Sequence, residues 1–237
     1  MIKYENVGYN QNISLDTVDM PLYFYLELNN SCNLRCKFCS VSNKNNEYIS
    51  IDMARYILDE LKNNGIYDVY YTGGEPLLHP NFMEIVEYAD KLGIRQTILT
   101  NGILLDKIQP VLNKIMCVCV SLHGTKEIHN KLTDSNCYDK VLSNIELTKK
   151  ITNVKINYTV TSDNQNIKEM KDVLEFGNKK NIPISFSKYN NIGEGKKNKC
   201  YININSFVEN LNILRNDTIY KNQKGTARFD GYHSRRQ

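Results

Sequence analysis

The sequence predicts an α/β protein in which six parallel strands alternate with helices. Two observations support this fold class. Short runs rich in β-branched and aromatic residues alternate with amphipathic stretches between residues 22 and 187. Six strands with helices between them indicate βαβ units, which connect in the right-handed sense and form a parallel sheet.

The predicted elements follow one another in a regular order. The strands cover residues 22–28, 69–72, 95–100, 116–122, 154–161 and 182–187. The helices cover residues 51–61, 81–92, 104–114, 138–150, 167–179 and 206–216. Ser50 provides an N-terminal signal for the first helix, and Gly65 and Gly93 end the first two helices.

Periodicity alone leaves two architectures open. Six units are fewer than the eight of a closed (β/α)8 barrel, so an open curved barrel and a doubly wound sheet are both possible. In either architecture ligands bind at the carboxyl ends of the strands. The loops that follow the strands are therefore the places to look for chemistry.

Composition indicates an ordinary globular protein. The chain has 237 residues, of which 41% are hydrophobic and 24% charged, and it shows neither a signal peptide nor an apolar run long enough for a membrane span. We therefore expect a cytoplasmic protein without a membrane partner. We divide the chain into an N-terminal extension at 1–20, a core at 21–190 and a polar, basic segment at 191–237 with one helix and an irregular end.

The net charge of +4 arises near the C-terminus. Residues 188–237 contain 10 basic and 4 acidic side chains. Such a segment can meet an acidic partner, but no nucleic-acid-binding motif accompanies it. We expect a solvated basic surface and no nucleic-acid partner.

Three of the seven cysteines lie in one loop. Cys32, Cys36 and Cys39 have the spacing C-x3-C-x2-C and follow the first predicted strand. A structural zinc site usually has four ligands, and no fourth Cys or His lies nearby at zinc-finger spacing. Three thiolates fit a 4Fe–4S cluster that leaves one iron open, although such clusters usually take four cysteines.

This loop resembles the cluster loop of the radical S-adenosylmethionine (SAM) enzymes, which also have an aromatic residue before the last cysteine. Thr72–Pro76 reads TGGEP and resembles the GGEP motif of that superfamily, and it follows the second strand. Asn101-Gly102 and Ser121–Gly124 resemble its motifs at the ends of the next two strands. The resemblance covers about residues 22–190 and implies an open (β/α)6 partial TIM barrel.

The resemblance implies a function for each matching residue. Three irons of a 4Fe–4S cluster would be ligated by Cys32, Cys36 and Cys39, and the fourth would bind the amino nitrogen and carboxylate of SAM. Phe38 would lie near the adenine, and Ser121 near the ribose or carboxylate. The remaining cofactor-binding positions are Gly73, Gly74, Glu75 and Asn101, of which Glu75 would accept from the amino group of SAM.

One position departs from the family pattern. Relatives with a similar motif continue to an arginine that contacts the SAM carboxylate, and here Thr133 stands at that place. Lys131 is the candidate to replace that contact.

Four other cysteines receive plainer interpretations. Cys117 and Cys119 alternate along the fourth strand and share a face with Ser121, so we expect packing thiols that line the barrel interior. Cys137 and Cys200 are isolated and have no predicted role. We interpret His123 and His129 as members of a polar network rather than catalysts.

The resemblance implies that one electron, from a donor such as flavodoxin or ferredoxin, cleaves SAM to methionine and a 5′-deoxyadenosyl radical, which abstracts hydrogen from a substrate. The chain looks most similar to the peptide- and protein-modifying branch and to the molybdopterin-precursor synthase. We therefore expect a peptide or protein substrate. The alternatives are a small-molecule radical SAM enzyme of cofactor or nucleoside biosynthesis and a non-catalytic iron–sulfur protein.

Members of that branch usually continue into a C-terminal extension with auxiliary clusters. Past residue 190 this sequence contains only Cys200, which is too few for a second cluster. We expect either a minimal member of the branch or a truncated one.

Overall fold

Six parallel strands form a single sheet in a computed structural model that describes residues 21–41 and 45–216. The strands pair in sequence order from β1 to β6. Among the described strands, β1 pairs only with β2 and β6 only with β5, so the sheet is open. The strands are β1 (Phe24–Asn29), β2 (Asp68–Gly73), β3 (Arg95–Thr100), β4 (Cys117–Ser121), β5 (Asn153–Val160) and β6 (Ile184–Lys188).

Seven α-helices accompany the sheet in the described part of the chain. They are α1 (Ile51–Asn63), α2 (Phe82–Lys91), α3 (Lys126–Thr133), α4 (Tyr138–Thr148), α5 (Ile167–Lys180), α6 (Gly193–Lys197) and α7 (Ile204–Asn216). Ser50 caps α1 as predicted, because its side chain accepts a hydrogen bond from the Met53 N–H at 3.1 Å. The predicted α/β class and the open partial barrel are confirmed.

Three helices differ from the sequence prediction: one has a different helix type, and two are not predicted at all. The helix predicted near 104–114 is a 3₁₀ helix at Leu105–Lys114 that contains Pro110, whose ring removes one backbone donor. The sequence does not predict helix α3, because its eight residues are mostly polar. Helix α6 has five residues, two of them glycine, and no helical periodicity to detect.

Strand residues alternate between two faces. One face packs against the helices and contributes Val118 and Val120 to the hydrophobic core. The other face, which we call the interior face, therefore carries Cys117, Cys119 and Ser121 on β4. The parallel register shows which residues of the other strands lie on the interior face, because paired residues of adjacent strands point to the same side of the sheet.

The described residues reach neither end of the chain. The predicted N-terminal extension at 1–20 and the irregular end at 217–237 lie outside the described residues. Helix α7 is two residues longer at its start than predicted and is joined to the barrel by a hydrogen bond from Asn210 Nδ2 to the Gln165 carbonyl, 2.7 Å. Among the described helices, none is long and apolar enough to cross a bilayer.

Candidate active site

The first half of the cysteine loop lies directly against the end of β2. The Gly74 N–H donates to the carbonyl of Asn29 at 2.9 Å, and the Glu75 N–H donates to the carbonyl of Ser31 at 2.6 Å. These bonds continue the pairing of β1 and β2 into the loops that follow them. The GGEP segment and the start of the cysteine loop therefore form one backbone unit.

Both glycines of the GGEP segment are required for that contact. A Cβ atom on Gly73 would overlap the carbonyl oxygen of Asn29, and one on Gly74 would overlap the carbonyl oxygen of Ser31. Gly73 also has φ of +128°, which L side chains rarely adopt. The sequence suggested that these glycines admit a ligand, and the structure gives them a second function, the close approach of the cysteine loop.

Glu75 lies buried between β2 and β3. Its carboxylate accepts hydrogen bonds from the Thr100 hydroxyl at 2.7 Å, the Asn101 N–H at 2.8 Å and the Leu77 N–H at 3.2 Å. Burial at 1% exposure raises the pKa of Glu75 to about 7, and the three hydrogen bonds oppose that rise. The carboxylate fixes the relative position of the two strand-end loops.

Asn101 joins the third strand-end loop to the cysteine loop. Its side-chain Nδ2 donates to Asn33 Oδ1 at 2.7 Å, while its Oδ1 accepts from the Ile103 N–H at 3.0 Å. The predicted cofactor-binding residue therefore contacts the loop between the first two cysteines. Whether it also contacts SAM stays a prediction.

Three thiols occupy this loop, and each is partly buried. Cys32 and Cys36 pack against the hydrophobic core. Leu34, which lies between them, belongs to that core with 3% of its surface exposed, and it anchors the loop there. The Cys39 N–H donates to the carbonyl of Cys36 at 3.2 Å, which closes a turn between the last two cysteines. All seven cysteines lie in the described part of the chain, and none forms a disulfide.

Phe38 packs against a buried histidine. The ring centroids of Phe38 and His123 are 4.6 Å apart with their planes at 79°, an edge-to-face contact. His123 Nδ1 accepts from the Thr159 N–H at 3.1 Å, so β5 holds the imidazole in place. The residue predicted to lie beside the adenine is thus positioned by the loop after β4.

A second histidine continues this network away from the loop. His129 Nδ1 accepts from the His123 N–H at 3.2 Å, and His129 Nε2 lies 3.4 Å from Cys137 Sγ. Burial lowers the pKa of His123 well below its ordinary value and the pKa of His129 to about 4. Both imidazoles are neutral near pH 7, which agrees with the predicted polar network.

Ser121 lies at the carboxyl end of β4 on the interior face. It is partly buried and stands in register with Asn157 of β5. Asn157 Oδ1 accepts from the Ser187 hydroxyl at 3.0 Å, so hydroxyl and amide groups of β4, β5 and β6 lie side by side. The predicted ribose- or carboxylate-binding serine therefore belongs to a polar stretch of the interior face.

The position of the missing arginine lies on α3. The Thr133 hydroxyl donates to the carbonyl of His129 at 2.8 Å, and its side chain is buried. The Lys131 ammonium lies 3.0 Å from Asp163 in a partly exposed ion pair. The structure thus gives both side chains protein partners, and the replacement of the arginine by Lys131 stays a prediction.

The donor set fits the cluster and the cofactor that the sequence implies. Among the described residues, no three His, Cys, Asp or Glu side chains are placed to hold a single metal ion. A 4Fe–4S cluster makes no such demand, since each iron takes its own thiolate. The buried Oδ1 of Asn29 has no hydrogen-bond partner among the described residues, and a buried acceptor of this kind is normally satisfied by a water, an ion or a ligand.

Comparison with known proteins identifies the family. The family model of the radical SAM superfamily matches residues 26–177, which include the cysteine loop and all the strand-end motifs. The chain belongs to the radical SAM superfamily. Radical SAM enzymes use a 4Fe–4S cluster and SAM, so the match supports the predicted cofactors.

Individual relatives act on different substrates. The GTP 3′,8-cyclase of a Synechocystis species is 32% identical over 177 residues, which cover 71% of this chain and 54% of that protein. The PqqA peptide cyclase of Bradyrhizobium diazoefficiens is 23% identical over 173 residues, which cover 70% and 45%. The structure of Streptococcus suis SuiB bound to the precursor peptide SuiA has a TM-score of 0.73 at 20% identity and covers 82% and 46%, which shows the fold. The chain spans about half the length of these relatives.

Some residues of the site are not evident from the sequence. Thr100 precedes the recognised Asn101-Gly102 pair, so its position in that motif was the available signal. His123 was assigned to a polar network without its contact to Phe38. Residues 193–200 carried no signal beyond two glycines, yet they contact the cysteine loop.

Proposed function

We propose that this chain holds a 4Fe–4S cluster through Cys32, Cys36 and Cys39 and binds SAM beside it at the ends of β2, β3 and β4. The observation that carries the proposal is the direct bonding of the cysteine loop to the strand-end loops. Gly74 and Glu75 bond to the start of that loop, and Asn101 bonds to its middle. Together these contacts bring the three thiols and the cofactor motifs to one edge of the sheet.

The cluster, when bound, supplies one electron that cleaves SAM to methionine and a 5′-deoxyadenosyl radical, which abstracts hydrogen from the substrate. The chain supplies position and shielding. Phe38 offers an aromatic ring beside the adenine, and Glu75 offers a buried carboxylate for the ammonium group of SAM. Ser121 offers a hydroxyl to the ribose or the carboxylate, and the sheet interior receives the substrate.

We propose a peptide or protein as the substrate. The charged side chains that the strands place on the interior face are two acids and two bases, namely Glu27, Asp68, Arg95 and Lys155. Arg95 is already paired with Asp68. Such a balanced surface offers no excess positive charge to a triphosphate, whereas a peptide needs none. The peptide-cyclizing relative is consistent with this choice.

A nucleotide is the second candidate substrate. It is favoured by the 32% identity to a GTP 3′,8-cyclase over 71% of this chain, a higher identity than the 23% to the peptide cyclase. For either substrate we propose a cytoplasmic enzyme that receives its electron from a flavodoxin or ferredoxin.

The proposed chemistry is tested by the formation of 5′-deoxyadenosine. Anaerobically reconstituted protein is incubated with SAM and dithionite, and the product is quantified by chromatography. We expect 5′-deoxyadenosine from the wild type and from Cys117→Ala, which removes a buried thiol on β4. Cys36→Ala should form none. A wild type with a cluster but without product would be a non-catalytic iron–sulfur protein.

The substrate class is tested by adding GTP to the same assay. A peptide-modifying enzyme should form 5′-deoxyadenosine at the same rate with and without GTP. A GTP-dependent increase, with incorporation of a GTP hydrogen into 5′-deoxyadenosine, would select the nucleotide candidate instead.

A further inference from the structure

The chain returns to the cysteine loop after the last strand of the barrel. Residues 193–200, which we call the clamp segment, comprise α6 and the three residues that follow it. They are separated from the cysteine loop by more than 150 residues of sequence, and nothing in the family motifs includes them. Their contacts with the cysteine loop all lie in one half of it, from Lys37 to Ser40.

The first contact is to the last cluster cysteine. The N–H groups of Glu194 and Gly195 both donate to the carbonyl oxygen of Cys39, at 2.9 and 3.3 Å. Two donors on one carbonyl fix the orientation of the peptide group between Cys39 and Ser40. The orientation of a proposed ligand is thus linked to the backbone of α6.

The second contact is to the residue before Phe38. Asn198 Nδ2 donates to the carbonyl of Lys37 at 3.0 Å, and Cys200 Sγ donates to the same oxygen at 3.5 Å. On the other side of the peptide chain, the Lys37 N–H donates to the carbonyl of Leu132 in α3 at 2.9 Å. The Lys37 backbone is therefore held between α3 and the clamp segment.

Two glycines allow the clamp segment to approach so closely. Gly193 has φ of +56°, and a Cβ atom there would overlap the carbonyl oxygen of Ser40. A Cβ atom on Gly195 would lie 3.1 Å from the Phe38 carbonyl oxygen. The contact is thus one of backbone against backbone, which a side chain on Gly193 cannot accommodate without displacement of one of the two segments.

We propose that the clamp segment positions the Cys36–Cys39 half of the cysteine loop and so determines how firmly the protein retains its cluster, with Asn198 as a positioning residue. The proposal rests on the cluster of the proposed function. Its physical basis is preorganisation, since ligands whose backbone is already fixed lose less entropy when they bind and release a metal group more slowly.

The first test compares two glycine substitutions. Gly193→Ala places a methyl group against Ser40, whereas Gly65→Ala introduces the same residue at φ of +75° with nothing within 4 Å. Both variants have the cost of an alanine in the left-handed region, and only the first presses on the loop. We measure the rate at which a chelator removes iron from the reconstituted proteins, and the melting temperature of each protein without its cluster.

Gly193→Ala should release iron at least about tenfold faster than Gly65→Ala, because the close backbone contact is lost. Equal release rates for the two variants would overturn the proposal. A wild type that takes up no cluster at all would instead overturn the proposed function, so the two failures are distinguishable.

The second test removes single hydrogen bonds and does not depend on the folding of the glycine variant. Asn198→Ala loses a side-chain bond to the Lys37 carbonyl, and Asn210→Ala loses a bond of the same kind to the Gln165 carbonyl, which is not part of the cysteine loop. Asn198→Ala should release iron about three- to tenfold faster than the wild type. Asn210→Ala should release it at the wild-type rate. Wild-type release from Asn198→Ala, or equal acceleration in both variants, would contradict the role of Asn198.

Discussion

Two buried polar networks flank the cysteine loop. In one, burial disfavours the negative charge of a carboxylate, and in the other it disfavours the positive charge of two histidines. The Glu75 network joins the loops after β2 and β3 through a carboxylate with three donors. The His123 network joins the loop after β4 to β5 through two imidazoles that accept from backbone N–H groups. The first contains an acid and the second contains bases, yet both lie at the same edge of the sheet.

This difference shows that burial shifts the pKa values of the two networks in opposite directions. Burial raises the pKa of Glu75 to about 7, whereas it lowers the pKa of His129 to about 4. Each network therefore favours its neutral form, and the two respond to pH in opposite directions. Substitutions that remove one network at a time should separate the two responses.

The largest effect is expected for Glu75→Ala. It leaves the Leu77 N–H, the Asn101 N–H and the Thr100 hydroxyl without their acceptor, at a cost of about 4 kcal/mol in the free energy of unfolding. Glu169→Ala is the matched control, because Glu169 is also buried and accepts from two groups of Thr125. Urea titration should show a smaller loss for the control. An equal or larger loss for the control would contradict the larger contribution to stability that we assign to the three donors of Glu75.

Glu75→Gln should change the pH dependence of stability. The raised pKa means that the folded protein binds more protons than the unfolded chain between pH 4.5 and about 7. The wild type therefore loses stability relative to Glu75→Gln as pH rises through this window, by about 3 kcal/mol in total. Urea titrations of both metal-free proteins at several pH values measure the difference. A constant difference between them would show that Glu75 ionises normally.

His129→Asn should have the opposite pH dependence. The lowered pKa means that the unfolded chain binds more protons than the folded protein between about pH 4 and 6.5. The wild type therefore loses stability relative to His129→Asn as pH falls through this window, by about 3 kcal/mol. Asparagine retains an acceptor for the His123 N–H. Parallel stability curves for the two proteins would contradict a buried neutral His129.

The smallest effect is expected for His123→Asn. Asparagine supplies an acceptor to the Thr159 N–H but removes the ring that contacts Phe38 edge-to-face. The lost contact corresponds to about 1 kcal/mol, so the KM for SAM in the 5′-deoxyadenosine assay should rise about fivefold at unchanged kcat. Phe38→Leu tests the same contact from the other side. An unchanged KM for SAM in both variants would show that the Phe38 ring does not contribute to adenine binding.

The fold is predictable because most of its strands are followed by a stretch with helical periodicity. The prediction of β3 at 95–100 matches the observed strand, and that of the helix at 138–150 differs by two residues at its end. Short elements escaped prediction for a physical reason. A five-residue helix such as α6 exposes too few turns for an apolar pattern, and its position depends on long-range contacts to Cys39 that no local pattern encodes.

The candidate site was predictable where a motif identifies it. The cysteine spacing and the GGEP segment identify the thiols and Glu75, because each motif places its functional side chains within a few residues of one another in the sequence. The contacts of Glu75 to Thr100 and of Phe38 to His123 join different loops, and sequence spacing does not report which loops meet. Likewise the second function of Gly73 and Gly74 follows only from the proximity of Asn29 and Ser31.

The central proposal is that three cysteines leave one iron open for SAM at the edge of the sheet that carries both networks. It is tested most directly by the electron paramagnetic resonance spectrum of the dithionite-reduced, reconstituted protein before and after SAM is added. A SAM molecule that binds the open iron must change the g values of the cluster, and this change is the predicted result. A reduced 4Fe–4S spectrum that is identical with and without saturating SAM would contradict the account.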